Sequence, residues 1–504
     1  MPTRNALKLP PTIRQGLLNL PGPTFETQRT IERLLEEDRE RHHCFWGRIG
    51  FHNHLSHHLL AAYDLGAPAA LLQKIFDAES KDPWDLFIMN RTGKEGAAEA
   101  LEQEMTIENW TSFLGDGKYY PSFLNFFTRE VAEHGAGEVL EKYIFSPKAN
   151  GNGAYMLLRF VGGALHPLIQ MGYAVEFGSD AMVAQALAQT AVHDAFQPAL
   201  FDLATPPRPL ESLTYKSTEV AQRQPSKGHS LFSILRQAYD SEIMKPVMPY
   251  DPDALLSARF RAACADGRPE EIRRLSALWQ IDTARGQAEL DEKVEELLWT
   301  ATLLLVGSGR RGRKPRLDFF LMHMLNASLF VPSLLAAIPT MESKAALLRS
   351  FVPVLLIYLT VRGRPRIDPE LVMSYTDTPR PSHEQLLEPD ESAIGNPRDA
   401  ADFNPWPGII ASVVYAPDAH TLKAIRALYY AAQNYGRTPL GGAIGAFDTE
   451  GRETHPGIVK VDGSIFVRAA GVVMDTLGWV THGQKEGSWD RSALGWDDAW
   501  KNGD

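Results

Sequence analysis

Four of the 15 histidines crowd into one short stretch, Phe51-His52-Asn53-His54-Leu55-Ser56-His57-His58. If that stretch is helical, steps of three and four residues set His54, His57 and His58 on one face. Imidazoles ligate metals and carry protons near neutral pH, so the crowding points to metal or proton chemistry before it points to packing. His54-x-x-x-His58 has the spacing of a zinc-protease pair, but Leu55 stands where that chemistry needs a glutamate base, which disfavours a metalloprotease. His166, His323 and His420 sit in strongly apolar surroundings elsewhere in the chain. One of them alone would read as a hydrogen-bonded core residue. Three, with the cluster, suit a metal assembled from facing helices in a bundle core, where Fe, Zn, Cu and Ni all accept imidazole.

The elements that would carry these side chains are helices. Apolar residues recur at helical steps in Thr24 to Glu40, Ser56 to Leu65, Pro68 to Phe76, Asp180 to Phe196, Leu231 to Met244, Pro269 to Ile281 and Gln287 to Val306. Extended chain is expected only at Ile409 to Tyr415 and Ile458 to Val461. The expected fold is therefore mainly α: a single large helical catalytic domain over residues 1–435, with a metal site in its bundle core, and an extension over 436–504 packing on it. Loops are expected at Ser146 to Gly153, Thr205 to Arg208, Pro225 to His229, Gly307 to Arg316 and Pro379 to Trp406, the last either a linker or a lid.

Composition narrows the function classes. A hydrophobic share of 44% with 22% charged residues is that of an ordinary globular protein. The net charge of -11 argues against nucleic acid or an anionic membrane as partner. Only Cys44 and Cys264 are present, too few for a disulfide framework or a zinc Cys pair. No secretory leader is legible in the opening residues, so a cytoplasmic location is expected. Phe319 to Pro339 carries no charged residue, but its His323, Asn326, Ser328 and Pro332 favour a helix buried in protein over a membrane span.

Other motifs weigh less. Gly307-Ser-Gly309-Arg-Arg-Gly312 matches a dinucleotide fingerprint in form, yet the run before it continues a helical pattern and Arg313-Lys314-Pro315 cannot open the required helix. A helix-ending glycine followed by a solvated basic loop is expected there; that loop with Arg362, Arg364 and Arg366 could also form an anion patch, but the net negative charge favours a solvated surface. Glu40-x-x-His43 stands alone, short of the paired motif of a ferritin-like di-iron bundle, and no Walker loop, nucleophile elbow or kinase signature occurs.

Taken in order, Phe51-His-Asn-His-x-x-His-His-Leu-Leu, Gly163-Ala-Leu-His-Pro-Leu-Ile with Gly172-Tyr173 and Glu176-Phe177, Asp318-Phe-Phe-Leu-Met-His, Arg362-Gly-Arg-Pro, and Asp418-x-His-x-x-Lys-x-Ile-Arg-Ala-Leu resemble the questin oxidase family from about Phe51 to Tyr435. That family includes fungal polyketide-pathway enzymes that open the central ring of anthraquinones, and an aflatoxin-pathway oxidase described as Baeyer–Villiger-like. The resemblance implies a non-haem Fe(II) dioxygenase using O2 on a small aromatic polyketide, with iron held by four histidines and a carboxylated lysine. Those ligands fall on His54, His166, His323, His420 and Lys423, although His58 could reach the same point one turn after His54. His57 and His58 are then expected to support the metal or contact substrate as catalytic groups alongside Lys423.

The chemistry behind that ligand set is legible. Four neutral imidazoles leave the full charge of Fe(II) in a poorly solvating interior, and an anionic ligand would offset it. No acidic residue lies one turn beyond His420, whereas Lys423 does, at i+3. A neutral buried lysine can add CO2 to give a carbamate, which supplies carboxylate-like oxygens. Asn53, Glu176, Asp194 and Asp418 are candidates to orient the imidazoles, and Phe51, Tyr63, Trp110, Tyr119, Tyr120, Phe160 and Tyr173 are candidate aromatic walls. Two alternatives stay open: a flavin- or NADPH-dependent Baeyer–Villiger-type oxidase, and a non-enzymatic helical scaffold whose histidines hold zinc.

Overall fold

The computed structural model describes residues 12–45, 52–80, 87–88, 103–202, 209–217, 222–382 and 386–501. Among them the regular structure is nineteen α-helices, short 3-10 and π turns, and one two-stranded ladder of His42–His43 with Phe87–Ile88. The chain is mainly α. Side-chain caps explain many helix starts: the hydroxyls of Thr24, Ser179 and Ser230 accept from the backbone N–H three residues on, opening Phe25–Arg41, Asp180–Val192 and Leu231–Asp240.

The chain divides into two compact units, residues 1–198 with 330–350 and residues 199–329 with 351–504. Residues 436–504 thus share a unit with the helices that precede them. In the first unit, His166–Phe177 packs on Asp180–Val192 and Val331–Ala337, and Asp180–Val192 also packs on Tyr120–Leu140. Gly172 makes the contact with the Phe330 region, since a Cβ there would lie 2.3 Å from the Phe330 Cβ. In the second unit, Phe319–Ser328 packs on Gln287–Val306 and on Ala419–Tyr435, which in turn packs on Ile465–Leu477.

Several expectations change. Ile409 to Tyr415 is not extended but falls largely in the helix Trp406–Val413. Its buried residues Ile409, Ser412 and Val413 follow helical steps, and a short β-branched run does not by itself separate strand from helix. Ile458 to Val461 is likewise a 3-10 turn, Ile458–Lys460, after Gly457 at φ +83°. The apolar run from Phe319 breaks into Phe319–Ser328 and Val331–Ala337. Among the described residues the single helix long and apolar enough to span a bilayer is instead Met341–Val361, and 83% of its apolar window is buried in protein; the pair Phe319–Ser328 and Val331–Ala337, bent by 42°, passes the same test only when counted as one span. The loop expected at Thr205 to Arg208 and part of Pro379 to Trp406, residues 383–385, lie outside the described residues.

The fingerprint-like glycines follow a helix, Gln287–Val306, and not a strand, so no Rossmann unit forms there. The basic loop is more than solvated: Arg310 pairs with Asp497 at 2.6 Å, and Arg311 with Asp368 and Glu370 at 2.5 and 2.9 Å. Arg362 is a clear correction. It is 1% exposed and donates from Nε to Asp318 Oδ2 at 2.7 Å, its guanidinium lying over the Phe320 ring. The other oxygen of Asp318 accepts from the N–H groups of Phe320 and Leu321, capping the helix that carries His323. A buried guanidinium is tolerated because this carboxylate meets it.

The same pair generates a stability prediction. Removing one partner of a buried ion pair strands the other, at about 3–5 kcal/mol. Asp318→Ala should lower stability by about that amount in denaturant unfolding, and Arg362→Lys, which keeps the charge but loses the fork, by less. An unchanged midpoint for Asp318→Ala would contradict the assigned role.

Candidate metal centre

In the first unit the histidine cluster does not present one uniform face. His54 is the residue before the helix Leu55–Asp64, and its Nε2 meets His166 Nε2 at 2.8 Å. Two imidazole nitrogens bound at right angles to one ion, at bonds of ~2.0–2.1 Å, would stand about 3 Å apart, so this spacing suits a shared ion as well as a hydrogen bond. Asn53 sets the turn: its Oδ1 accepts from Leu55 N and its Nδ2 donates to Asp38 Oδ1. His57 turns to Gln170 at 2.8 Å and stacks on Tyr173, and His58 Nδ1 bonds the Glu79 carboxylate.

The backbone before His166 is unusual. Gly163, Ala164 and Leu165 are all left-handed, at φ +53°, +53° and +66°. Side-chain-bearing residues avoid that region at a cost of order 1–3 kcal/mol each, and such strain clusters at functional sites. Its result here is specific: the Gly163 carbonyl turns back to accept from His166 Nδ1 at 2.6 Å. Glycine is required at 163, where a Cβ would lie 2.6 Å from the His193 ring and 3.1 Å from the His52 ring. His52 stacks on His166 with centroids 3.9 Å apart and meets His193 Nε2 through its own Nε2 at 2.9 Å. Burial, with the Arg159 charge adding, pulls His193 down to about 3, so it is neutral.

In the second unit, His323 on Phe319–Ser328 and His420 on Ala419–Tyr435 face each other with ring centroids 5.1 Å apart, and Phe319 closes one side at 5.0 and 5.1 Å. His323 Nδ1 bonds the Phe319 carbonyl at 2.8 Å, and His420 Nδ1 bonds Asp418 Oδ1 at 2.8 Å. Burial holds His323 well below its ordinary value, with the charges of His420 and Lys423 in the same direction, and burial also lowers His420. Asp418 moves the other way from what burial dictates. Electrostatic attraction to His420, with the bonds to its ring and backbone, keeps it below the usual carboxylate range, hence ionised. Lys423, one turn beyond His420, has no exposed surface.

One feature unites His166, His323 and His420. A carbonyl or carboxylate oxygen sits on Nδ1, and such an oxygen can only accept, so in the neutral ring the proton is on Nδ1 and Nε2 keeps its lone pair. That is the tautomer a metal takes, and the oxygen fixes the ring's direction. Of the side chains expected to orient imidazoles, Asp418 does so. Asn53 anchors a turn, and Glu176 accepts from Leu17 N. The Gly163 and Phe319 carbonyls escape sequence reading because backbone atoms carry no residue-type signal. Glu79, Gln170 and His193 were equally silent, being single polar residues in ordinary helical text. Among the aromatic candidates Tyr173 lies against His57, whereas Trp110 packs on Phe127 and Tyr143, and Tyr120 bonds Cys44. Phe51 lies outside the described residues.

Comparison with known proteins agrees with the family resemblance. A questin oxidase of Aspergillus fumigatus is 28% identical over 356 residues, covering 70% of this chain and 73% of that protein. A Baeyer-Villiger oxidase, AgnL3 of Paecilomyces divaricatus, is 27% identical over 82% of this chain and 80% of its own. The oxidoreductase AflY of Aspergillus parasiticus is 28% identical over 78% of this chain and 71% of its own. The family described as Questin oxidase-like matches residues 51–428, a span that takes in every histidine placed above from His52 to His420, and the chain belongs to that family.

Proposed function

We propose that this oxidoreductase is an Fe(II)-dependent dioxygenase that opens a ring of an anthraquinone-type polyketide, with His54, His166, His323, His420 and Lys423 as the iron ligands. The observation that carries this is the shared tautomer: His166, His323 and His420 each hand Nδ1 to an oxygen and keep Nε2 for a metal. The donor set fits iron, because imidazole nitrogens with one carboxylate-like oxygen suit Fe(II). Bound iron would supply the one-electron chemistry that lets O2 react with the polyketide ring. The chain's own part is to hold the imidazoles, to keep water from buried Nε2 atoms, and to set His57, with Tyr173 stacked on it, beside His54.

A second function is favoured by the relatives named Baeyer-Villiger oxidases. The two differ in oxygen bookkeeping. A ring-opening dioxygenase places both atoms of O2 in product, whereas a Baeyer–Villiger insertion places one and sends the other to water with two electrons from a reductant. Metal-loaded enzyme assayed on anthraquinones under labelled O2 should give doubly labelled product, bind about one iron per chain and show no flavin spectrum. His54→Ala and His166→Ala should lose iron while His57→Ala retains it. Singly labelled product with NADPH consumption, or tightly held zinc without turnover, would overturn the proposal.

Asp418 acts on the metal only through His420. Loss of such a partner typically costs about 10–100-fold in metal affinity. Asp418→Ala should therefore weaken Fe(II) binding by about that factor, measured by competition with a chelator. Equal affinity in the variant would show that His420 needs no anchor.

For Lys423 the proposed form is the carbamate, the anion that four imidazoles lack. Iron loading under CO2-free gas should leave activity low, and bicarbonate should restore it. Lys423→Ala should lose iron, and Lys423→Glu should recover part of it by offering a shorter carboxylate on the same helix face. Full activity after CO2-free loading would remove the carbamate and leave the four histidines standing.

A further inference from the structure

The second unit contains a cavity of about 710 Å³ that shares no residue with the imidazole cluster. This is within the usual size of small-molecule sites, about 300–1,000 Å³. Its wall includes Arg236, Arg310, Arg311, Arg364, Arg366 and His455. Two aspartates, Asp368 and Asp497, also line it, so arginine charge is in excess at this wall although the whole chain carries -11.

The excess is concentrated on one side. Arg310 and Arg311 already meet carboxylates, and Arg236 pairs with Asp240 at 2.8 Å. Arg364 and Arg366 do not. Arg364 donates to the carbonyls of Ala238 and Ser241, and Arg366 donates to the carbonyl of Tyr239 while lying over its ring at 5.2 Å. Neither has a carboxylate partner among the described residues. Two further observations single out this corner. Gly363 and Arg364 are consecutive left-handed residues, at φ +81° and +56°, and an arginine in that conformation is strained. His455 is 2% exposed, lines the cavity, and neither of its ring nitrogens has a hydrogen-bond partner among the described residues. Burying a polar group without a partner is unfavourable, so its retention at a cavity wall points to a ligand that completes it. Burial and the nearby Arg236 and Arg366 charges pull His455 down to about 3, leaving one neutral N–H donor and one acceptor.

We propose that this cavity binds a small molecule through a phosphate group, with Arg364 and Arg366 meeting its charge and His455 hydrogen-bonding it. A phosphate dianion, with three oxygens, matches two guanidinium forks and an imidazole N–H, whereas a single carboxylate would be satisfied by one arginine. The phosphate can come from an inorganic source or from a nucleotide, and both share this chemistry.

Calorimetric titration of the full-length chain with pyrophosphate and with AMP tests this. At least one probe should bind saturably, more weakly as salt rises, and at least tenfold more weakly to Arg364→Gln and to Arg366→Gln. His455→Leu should also bind more weakly, and Arg29→Gln, at an exposed residue of the other unit, should bind as the parent does. AMP binding well above pyrophosphate would assign a nucleotide, and equal binding an inorganic group, either one supporting the site. Arg364 holds backbone carbonyls, so if its variant melts early the solvent-facing Arg366→Gln decides. No saturable binding of either probe, or binding indifferent to Arg366→Gln, would overturn the proposal.

Discussion

An imidazole offers its Nε2 lone pair in a fixed direction only when something else takes the proton on Nδ1, and much of this fold supplies that something else. At His166 it is the Gly163 carbonyl, at His323 the Phe319 carbonyl one turn earlier, and at His420 the Asp418 carboxylate. Three different devices give one chemical result. A carbonyl and a carboxylate differ in charge, however. The ionised Asp418 makes His420 the more electron-rich donor of the three, since a carboxylate partner raises ligand basicity.

Each device depends on structure farther away. The Gly163 carbonyl points back only because three residues in a row are left-handed, and that strain is held by the packing of His52 and His193 around a glycine with no Cβ. The Phe319 carbonyl belongs to the first turn of a helix whose end is capped by Asp318, and Asp318 is fixed in turn by the buried Arg362. Asp418 caps its own helix through the His420 N–H with the same oxygen that holds the His420 ring, so helix start and ring orientation are one event. Capping and ring orientation are thus served by the same few side chains.

Much of this was legible in the sequence. Helical spacing located Gln287–Val306 to the residue. The histidines stood out because imidazoles are rare in apolar text, and Asp418 could be named by its place two residues before His420. What failed did so for physical reasons. A β-branched run of seven residues carries too little periodicity to separate helix from strand, hence the misreading of Ile409 to Tyr415. Arg362 looked like its neighbours Arg364 and Arg366 because burial depends on a partner 44 residues away. Backbone carbonyls have no sequence signature, and left-handed geometry at Ala164 and Leu165 is invisible in residue types that normally avoid it.

In the proposed centre, imidazoles anchored through Nδ1 present Nε2 to one iron. A crystal structure of the Fe(II)-loaded enzyme, with anomalous data collected on both sides of the iron edge, tests it most directly. The expected map shows a single iron peak bonded to the Nε2 atoms of His54, His166, His323 and His420, with each Nδ1 of His166, His323 and His420 still on its oxygen. Iron bonded through Nδ1, or an iron peak away from these rings, would contradict it.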